Sequence, residues 1–154
     1  MTILQQIKSQ YRLDWDGTHG VRHWARVRRN GRIIGEYWGL CPKGIRVVDL
    51  FAIFHDACRE NEYTDPDHGP RGAALAHSMR DQLDLDAWQL KNLLLACEIH
   101  TSCMRDPSLP PVVKTCLDAD RCDLGRVGIR LHLDYIHNLK AIKMVQTLTG
   151  QRLV

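Results

Sequence analysis

No run of roughly 18 or more apolar residues occurs, the length a bilayer-spanning helix needs, so a membrane span is not expected. The opening, "MTILQQIKSQYRLDWD", has neither a basic stretch nor a long apolar core after it. No secretory signal is read there, and a cytoplasmic protein is expected. The cysteines at 41, 58, 97, 103, 116 and 122 form no C-x-x-C pair, which argues against a zinc knuckle or a thioredoxin-like motif. Several fall within helical apolar patterns, where a reduced thiol packs as a small hydrophobe. The net charge of +3 is too small to argue for nucleic acid by itself. There is no internal repeat, no low-complexity segment and no composition shift that marks a boundary. A length of 154 residues fits one domain, 1–154.

Hydrophobic residues make up 44% and charged residues 25%, the balance of an ordinary globular protein. The basic residues are mostly Arg, which pairs well with planar phosphate and carboxylate groups. The apolar rhythm is helical nearly throughout. Residues 2–10 read as a short amphipathic helix. A longer helix starts near Thr18, with Trp24, Val27, Gly31, Ile34 and Trp38 at spacings of three and four and a weak point at Gly31. Residues 45–60 are apolar on nearly all sides, as a central buried helix would be. Helices follow over 70–83 and 87–102, the second opened by the Asp86/Gln89 capping box. Prolines open a short helix that ends at Asp118, and a last one spans about 132–148. The expected fold is all-α, a single helical bundle.

Within it, polar residues sit where apolar ones belong. "FAIFHDACRENEY" runs from buried-looking residues into an adjacent His55–Asp56 pair, with Arg59 one turn later. His23 lies on the apolar side of its helix, His100 ends an apolar stripe, and Asp118 closes its helix. Four helices thus bring imidazole or carboxylate groups to interior positions. An unpaired buried carboxylate is costly, and a divalent metal ion removes that cost. Imidazole nitrogen and carboxylate oxygen suit manganese, iron, nickel, cobalt or zinc.

The order His23, His55–Asp56, Asp118, all on helices, resembles the HD-domain superfamily of metal-dependent phosphohydrolases. The pieces that carry the resemblance are "HGVRHWARV", "FHDACR", "DHGPRGAALA", "EIHT" and "LDADRCDLGR", within a motif-bearing core of about 17–126. The resemblance implies one metal ion on His23, His55, Asp56 and Asp118. It also implies, as in many members, a second ion held by two further histidines, with Asp56 bridging. His100 is one candidate. His68 is preferred to His77 for the other, because it aligns with the buried face through Gly72 and Leu75. His19, four residues before His23, is a further candidate for lining the site.

Arg59 stands where the family often has a cation touching substrate phosphate; a salt bridge with Glu62 is its plain alternative. Arg71, Asp120, Arg121 and Arg126 lie near the motifs, where they could line the pocket or orient ligands; Arg71 and Arg121 are taken as substrate-binding with Arg59. Asp56 and Arg59 are the expected catalytic residues. The implied activity is hydrolysis of a small phosphorylated substrate, a nucleotide among the candidates, by metal-activated water with one or two divalent ions bound. Two readings compete: a diiron oxygenase built on the same six ligands, and a non-catalytic module that binds nucleotide or a partner protein. The Arg22, Arg26, Arg29 row reads as a solvated helix face rather than a nucleic-acid surface. The sequence leaves oligomeric state open, a homo-oligomer included.

Overall fold

The apolar run around Phe51 decides the architecture. It forms α3 (Pro42–Phe54), opened by Pro42 in the first turn, where a missing N–H costs nothing. Val47, Val48, Leu50, Phe51, Ala52 and Phe54 are all buried, so α3 needs neighbours on every side. In the computed structural model, which describes residues 1–152, it packs against α2 (Val21–Trp38), α4 (His68–Ser78), α6 (Ala87–Ile99) and α7 (Pro111–Arg121). α2 also packs on α7 and on the last helix, α8 (Leu139–Thr149). The short α1 (Ile3–Gln10) and α5 (Arg80–Leu83) complete the set. Among the described residues every regular element is helical, and no helix is long and apolar enough to cross a membrane.

Local sequence explains the helix ends. Thr2 with Gln5, and Asp86 with Gln89, form reciprocal capping boxes at α1 and α6. α2 starts behind Gly20 rather than Thr18, and it ends on Gly39 in the left-handed region at φ 67°. It runs unbroken through Gly31. A Cβ there would meet Val48 Cγ1 at 2.4 Å and Ala119 Cβ at 3.3 Å, so Gly31 lets α2 approach α3 and α7 rather than weakening the helix.

Three of the boundaries that differ from the periodic pattern bear on the site. α3 stops at Phe54, so His55 and Asp56 lie in the turn at its end. The expected last helix begins only at Leu139, capped by Asn138; residues 124–127 and 133–135 are short 3-10 turns. α7 continues past Asp118 to Arg121.

Candidate metal centre

His55 and Asp56 are aimed by the turn that ends α3. The His55 Nδ1 faces the carbonyls of Phe51 and Ala52, each at 3.1 Å. α4 is pressed onto this turn at Gly72, where a Cβ would stand 2.4 Å from the Phe54 carbonyl oxygen. That close approach brings His68, in the first turn of α4, to Asp56. α6 contributes His100 at its C-terminal end, and its Nδ1 meets the Cys97 carbonyl at 2.7 Å. α2 supplies His23 from its first turn.

These groups meet around one carboxylate. Asp56 Oδ2 is 3.5 Å from His23 Nε2 and 3.7 Å from His55 Nε2. Asp56 Oδ1 is 3.1 Å from His68 Nε2 and 3.8 Å from His100 Nε2. The ring nitrogens also pair: His23 with His55 at 3.0 Å, and His68 with His100 at 2.9 Å, in each case Nε2 to Nε2. Either triplet, His23–His55–Asp56 or Asp56–His68–His100, offers donor atoms within 4.8 Å of one another and could hold a metal ion.

The pairing carries a chemical demand. Carbonyl and carboxylate oxygens only accept, so each Nδ1 that faces one must carry the hydrogen. That holds for His55 and His100 on backbone carbonyls, for His68 on the Asp65 carbonyl, and for His23 on Asp123 at 2.7 Å. All four neutral rings then turn an Nε2 lone pair inward, and lone pairs face each other within both couples. A positive charge is needed between them: a proton on one ring, or a metal ion. Nitrogen and oxygen donors in this mixture fit a divalent first-row ion. The outer contacts that fix each ring are those expected of metal-binding histidines.

The electrostatics agree with this picture. Burial pushes the His55 imidazolium down to about 3, which keeps the ring neutral and its lone pair available. Burial alone would raise the Asp56 carboxyl; the imidazoles around it, with hydrogen bonds from His100 and His68, more than offset this and hold Asp56 well below the usual carboxylate range. His23 is raised despite burial, because Asp120 and Asp123 hydrogen-bond to it. His100 is raised likewise by Asp56.

Asp118 does not join them, which corrects the sequence expectation. Its Oδ1 accepts from the backbone N–H of His137 at 2.9 Å and faces that ring's Nδ1 at 3.2 Å; its Oδ2 accepts from the N–H of Asn138 at 2.8 Å. The carboxylate at the cluster is Asp120, 3.3 Å from His23 Nε2 and 3.6 Å from His55 Nε2. Two residues along a helix is a turn of about 200°, so α7 shows one acid to the cluster and the other to the chain before α8. Asp123, just past α7, was not singled out in the sequence; it holds His23 and also pairs with Arg26 at 2.7 Å. No spacing rule marks it, since its partners are 97 and 100 residues away.

A cavity of ≈ 520 Å³ opens beside the cluster. Asp56, His68, His100 and Asp120 reach it, together with Arg59, Arg121, Arg126 and Arg130. Residues 124–135 add Leu124, Val127, Ile129, Leu131 and Tyr135 as an apolar wall. Arg59 Nη1 lies 3.7 Å from Asp56 Oδ1, and Arg126 Nη2 lies 4.0 Å from Oδ2. Arg59 makes no ion pair with Glu62; it donates to the carbonyls of Asn61 and Tyr63. Arg121 lines the cavity, but its guanidinium donates to the carbonyls of Tyr135 and Cys103 and braces the wall. Arg71 is not at the cavity: it binds Asp65 at 2.7 Å and the Cys58 carbonyl at 3.1 Å, which corrects its expected place beside substrate.

His77 is exposed on the outer side of α4, away from the cluster. The Arg row on α2 is partly committed, with Arg26 on Asp123 and Arg29 on Asn30 and Gln151. All six cysteines are unpaired, with Cys97, Cys116 and Cys122 in the core. Comparison of the chain with protein-family models, curated proteins and solved structures finds no match.

Proposed function

We propose that the protein is a metal-dependent phosphohydrolase acting on a small phosphorylated substrate, a nucleotide among the candidates, in line with its resemblance to the HD-domain superfamily. The observation that carries the reading is the pair of facing Nε2 couples on either side of one buried carboxylate. His23, His55, Asp56 and Asp120 would hold one ion, and Asp56, His68 and His100 a second. When bound, such an ion lowers the pKa of water and polarises a phosphoryl oxygen.

The chain's own groups do the rest. Arg59 and Arg126 flank the two oxygens of Asp56, where they offset the charge of an entering phosphate by charge-assisted hydrogen bonds. The carbonyls that hold Arg59 fix its direction in advance, which lowers the ordering cost of binding. The apolar wall of residues 124–135 covers the body of the substrate and excludes water from it. The cavity volume suits a metabolite rather than a polymer.

The same four histidines and two aspartates also suit a diiron oxygenase, and this second reading makes opposite demands on experiment. Metal analysis of the purified protein, followed by a phosphatase and phosphodiesterase panel with manganese, iron, cobalt, nickel or zinc added, separates the two. Released phosphate is expected, with Asp56→Ala losing both metal and activity. A coloured, iron-rich protein inert toward every ester would overturn the hydrolase reading. An Asp56→Ala protein with its full metal content would remove that residue from the centre.

A further inference from the structure

The wall of the cavity has a composition that the proposed centre does not explain. Leu124, Val127, Ile129, Leu131 and Tyr135 line the cavity from the stretch between α7 and α8, and Tyr63 borders it from the loop before α4. Leu131 is buried, but Tyr63, Val127, Ile129 and Tyr135 are exposed. Looseness does not account for that exposure along the wall. The Ile129 N–H donates to the Leu124 carbonyl at 3.2 Å, and Arg126 donates to the Thr18 carbonyl at 3.0 Å. The Tyr135 ring centre lies 5.5 Å from the Arg121 guanidinium. A pinned chain that keeps apolar side chains open around one hollow offers a surface for a ligand to cover.

The polar groups of the cavity are mostly donors. Arg59, Arg121, Arg126 and Arg130 line it, and a guanidinium only donates. His132 Nδ1 accepts from the Asp134 N–H at 3.3 Å, so the other ring nitrogen carries a hydrogen. The Glu62 carboxylate is engaged by His19, and the carbonyls of Tyr63 and Tyr135 already accept from Arg59 and Arg121. Among the described residues no Asn, Gln or Ser side chain lines the cavity. Beyond the histidine–aspartate cluster, the hydroxyls of Thr101, Tyr63 and Tyr135 are the side-chain acceptors that remain. A nucleoside brings ribose hydroxyls and, in most bases, an amino group. Each of these needs an acceptor once it is covered, and loses its water without return where none is found. An anion joined to an apolar body suits both halves of the cavity.

We propose that the wall is a subsite for an apolar organic group, so that the favoured substrates are alkyl or aryl phosphate monoesters rather than nucleotides. The inference rests on the phosphohydrolase reading and names the substrate class for that site. The phosphate lies toward Arg59, Arg126 and Asp56, and the organic group lies along Val127, Ile129 and Leu131. The reaction balances with water alone. The water oxygen forms the new bond to phosphorus as the ester P–O bond breaks, and the electron pair of that bond goes to the leaving oxygen. One hydrogen of the water ends on the released alcohol and the other on inorganic phosphate.

The test is a homologous series on metal-loaded protein: ethyl, butyl and hexyl phosphate, set beside adenosine monophosphate and 3-phosphoglycerate. The last carries a second anion, which would suit Arg130. Within the alkyl series kcat/KM is expected to rise about threefold per added methylene, and so about 100-fold from ethyl to hexyl. Ile129→Asn and Val127→Asn change exposed side chains, so the fold does not depend on them. Each should cut the hexyl-to-ethyl ratio by about fivefold or more with metal content intact. A flat series, a ratio that neither variant moves, or a preference for adenosine monophosphate or 3-phosphoglycerate over hexyl phosphate would overturn the subsite and leave the hydrolase reading in place.

Calorimetry with phosphonates, which have no ester bond to cleave, gives a readout independent of turnover. Hexylphosphonate is expected to bind more tightly than ethylphosphonate, by about the same factor per methylene and with a more negative heat-capacity change. Equal affinities would overturn the subsite. Protein that shows this chain-length dependence in binding but releases phosphate from no ester would support the apolar subsite and overturn the hydrolase reading.

Discussion

α7 carries two buried acids two residues apart, and they do opposite work. Asp118 faces the chain that enters α8 and accepts two backbone N–H groups there. Asp120 faces His23 and His55, where it accepts nothing from the backbone of that chain and adds negative charge beside Asp56. One carboxylate is satisfied by backbone N–H groups; the other is crowded by imidazole rings. Buried charge thus serves architecture at one face of the helix and, at the other, stands beside a cluster that could hold a metal ion. The difference shows that a buried Asp is read by its partners, not by its burial.

The comparison can be broken from either side. Asp118→Ala should destabilise the fold by roughly 3 kcal/mol, since it removes charge-assisted bonds and strands two backbone donors, while the metal-free cluster keeps its ligands. Chemical denaturation with metal analysis of the folded fraction checks both halves. Asp120→Asn should do the reverse: metal affinity falls by more than about 100-fold, beyond what loss of an outer contact costs, with a smaller change in unfolding midpoint than Asp118→Ala shows. If Asp118→Ala abolished metal binding and Asp120→Asn did not, the two assignments would be exchanged.

Asp123→Asn sharpens the contrast, because this acid holds the candidate ligand His23 without joining the cluster itself. It should lower metal affinity about 10- to 100-fold by freeing the His23 ring, as titration with a competing chelator would show. The smallest effect belongs to an acid on the outer surface. Asp49 of α3 pairs with Arg28 and Arg32 of α2 at 2.9 and 2.6 Å. Burial would raise its carboxyl, but the two guanidiniums hold it below the ordinary carboxylate value. Its contribution is present above that ordinary value and is lost as pH falls through the lowered one. Asp49→Asn should cost under about 1 kcal/mol near neutrality and flatten that part of the acid denaturation curve, with metal content untouched.

Much of this was legible before any coordinates. The apolar run of α3 and the Asp86/Gln89 capping box of α6 marked where two central helices lie. The His-Asp doublet, His23, His68 and His100 were readable because each interrupts an apolar stripe. The distal acid was misplaced for a local reason: "LDADR" offers two aspartates, and the periodic pattern alone does not show that α7 runs on to Arg121. With the helix ended at Asp118, Asp120 reads only as a residue near the motif that could line the pocket or orient ligands. Arg71 was misplaced because a cation near a motif looks the same whether its partner is substrate or Asp65. The wall over residues 124–135 had no rhythm to reveal it, being short 3-10 turns and irregular chain.

The two-faced α7 also constrains how anything gets in or out. The chain that leaves the wall is moored to the far side of that helix through Asp118, at His137 and Asn138, and the wall itself is braced at Tyr135 by Arg121 from the same helix. Rolling α7 to lift the wall would pull Asp120 off His23 in the same movement. Among the described residues, the stretch near Ile129 is tied only within the wall, through its own N–H to the Leu124 carbonyl, so movement there leaves the helix in place as a fixed post.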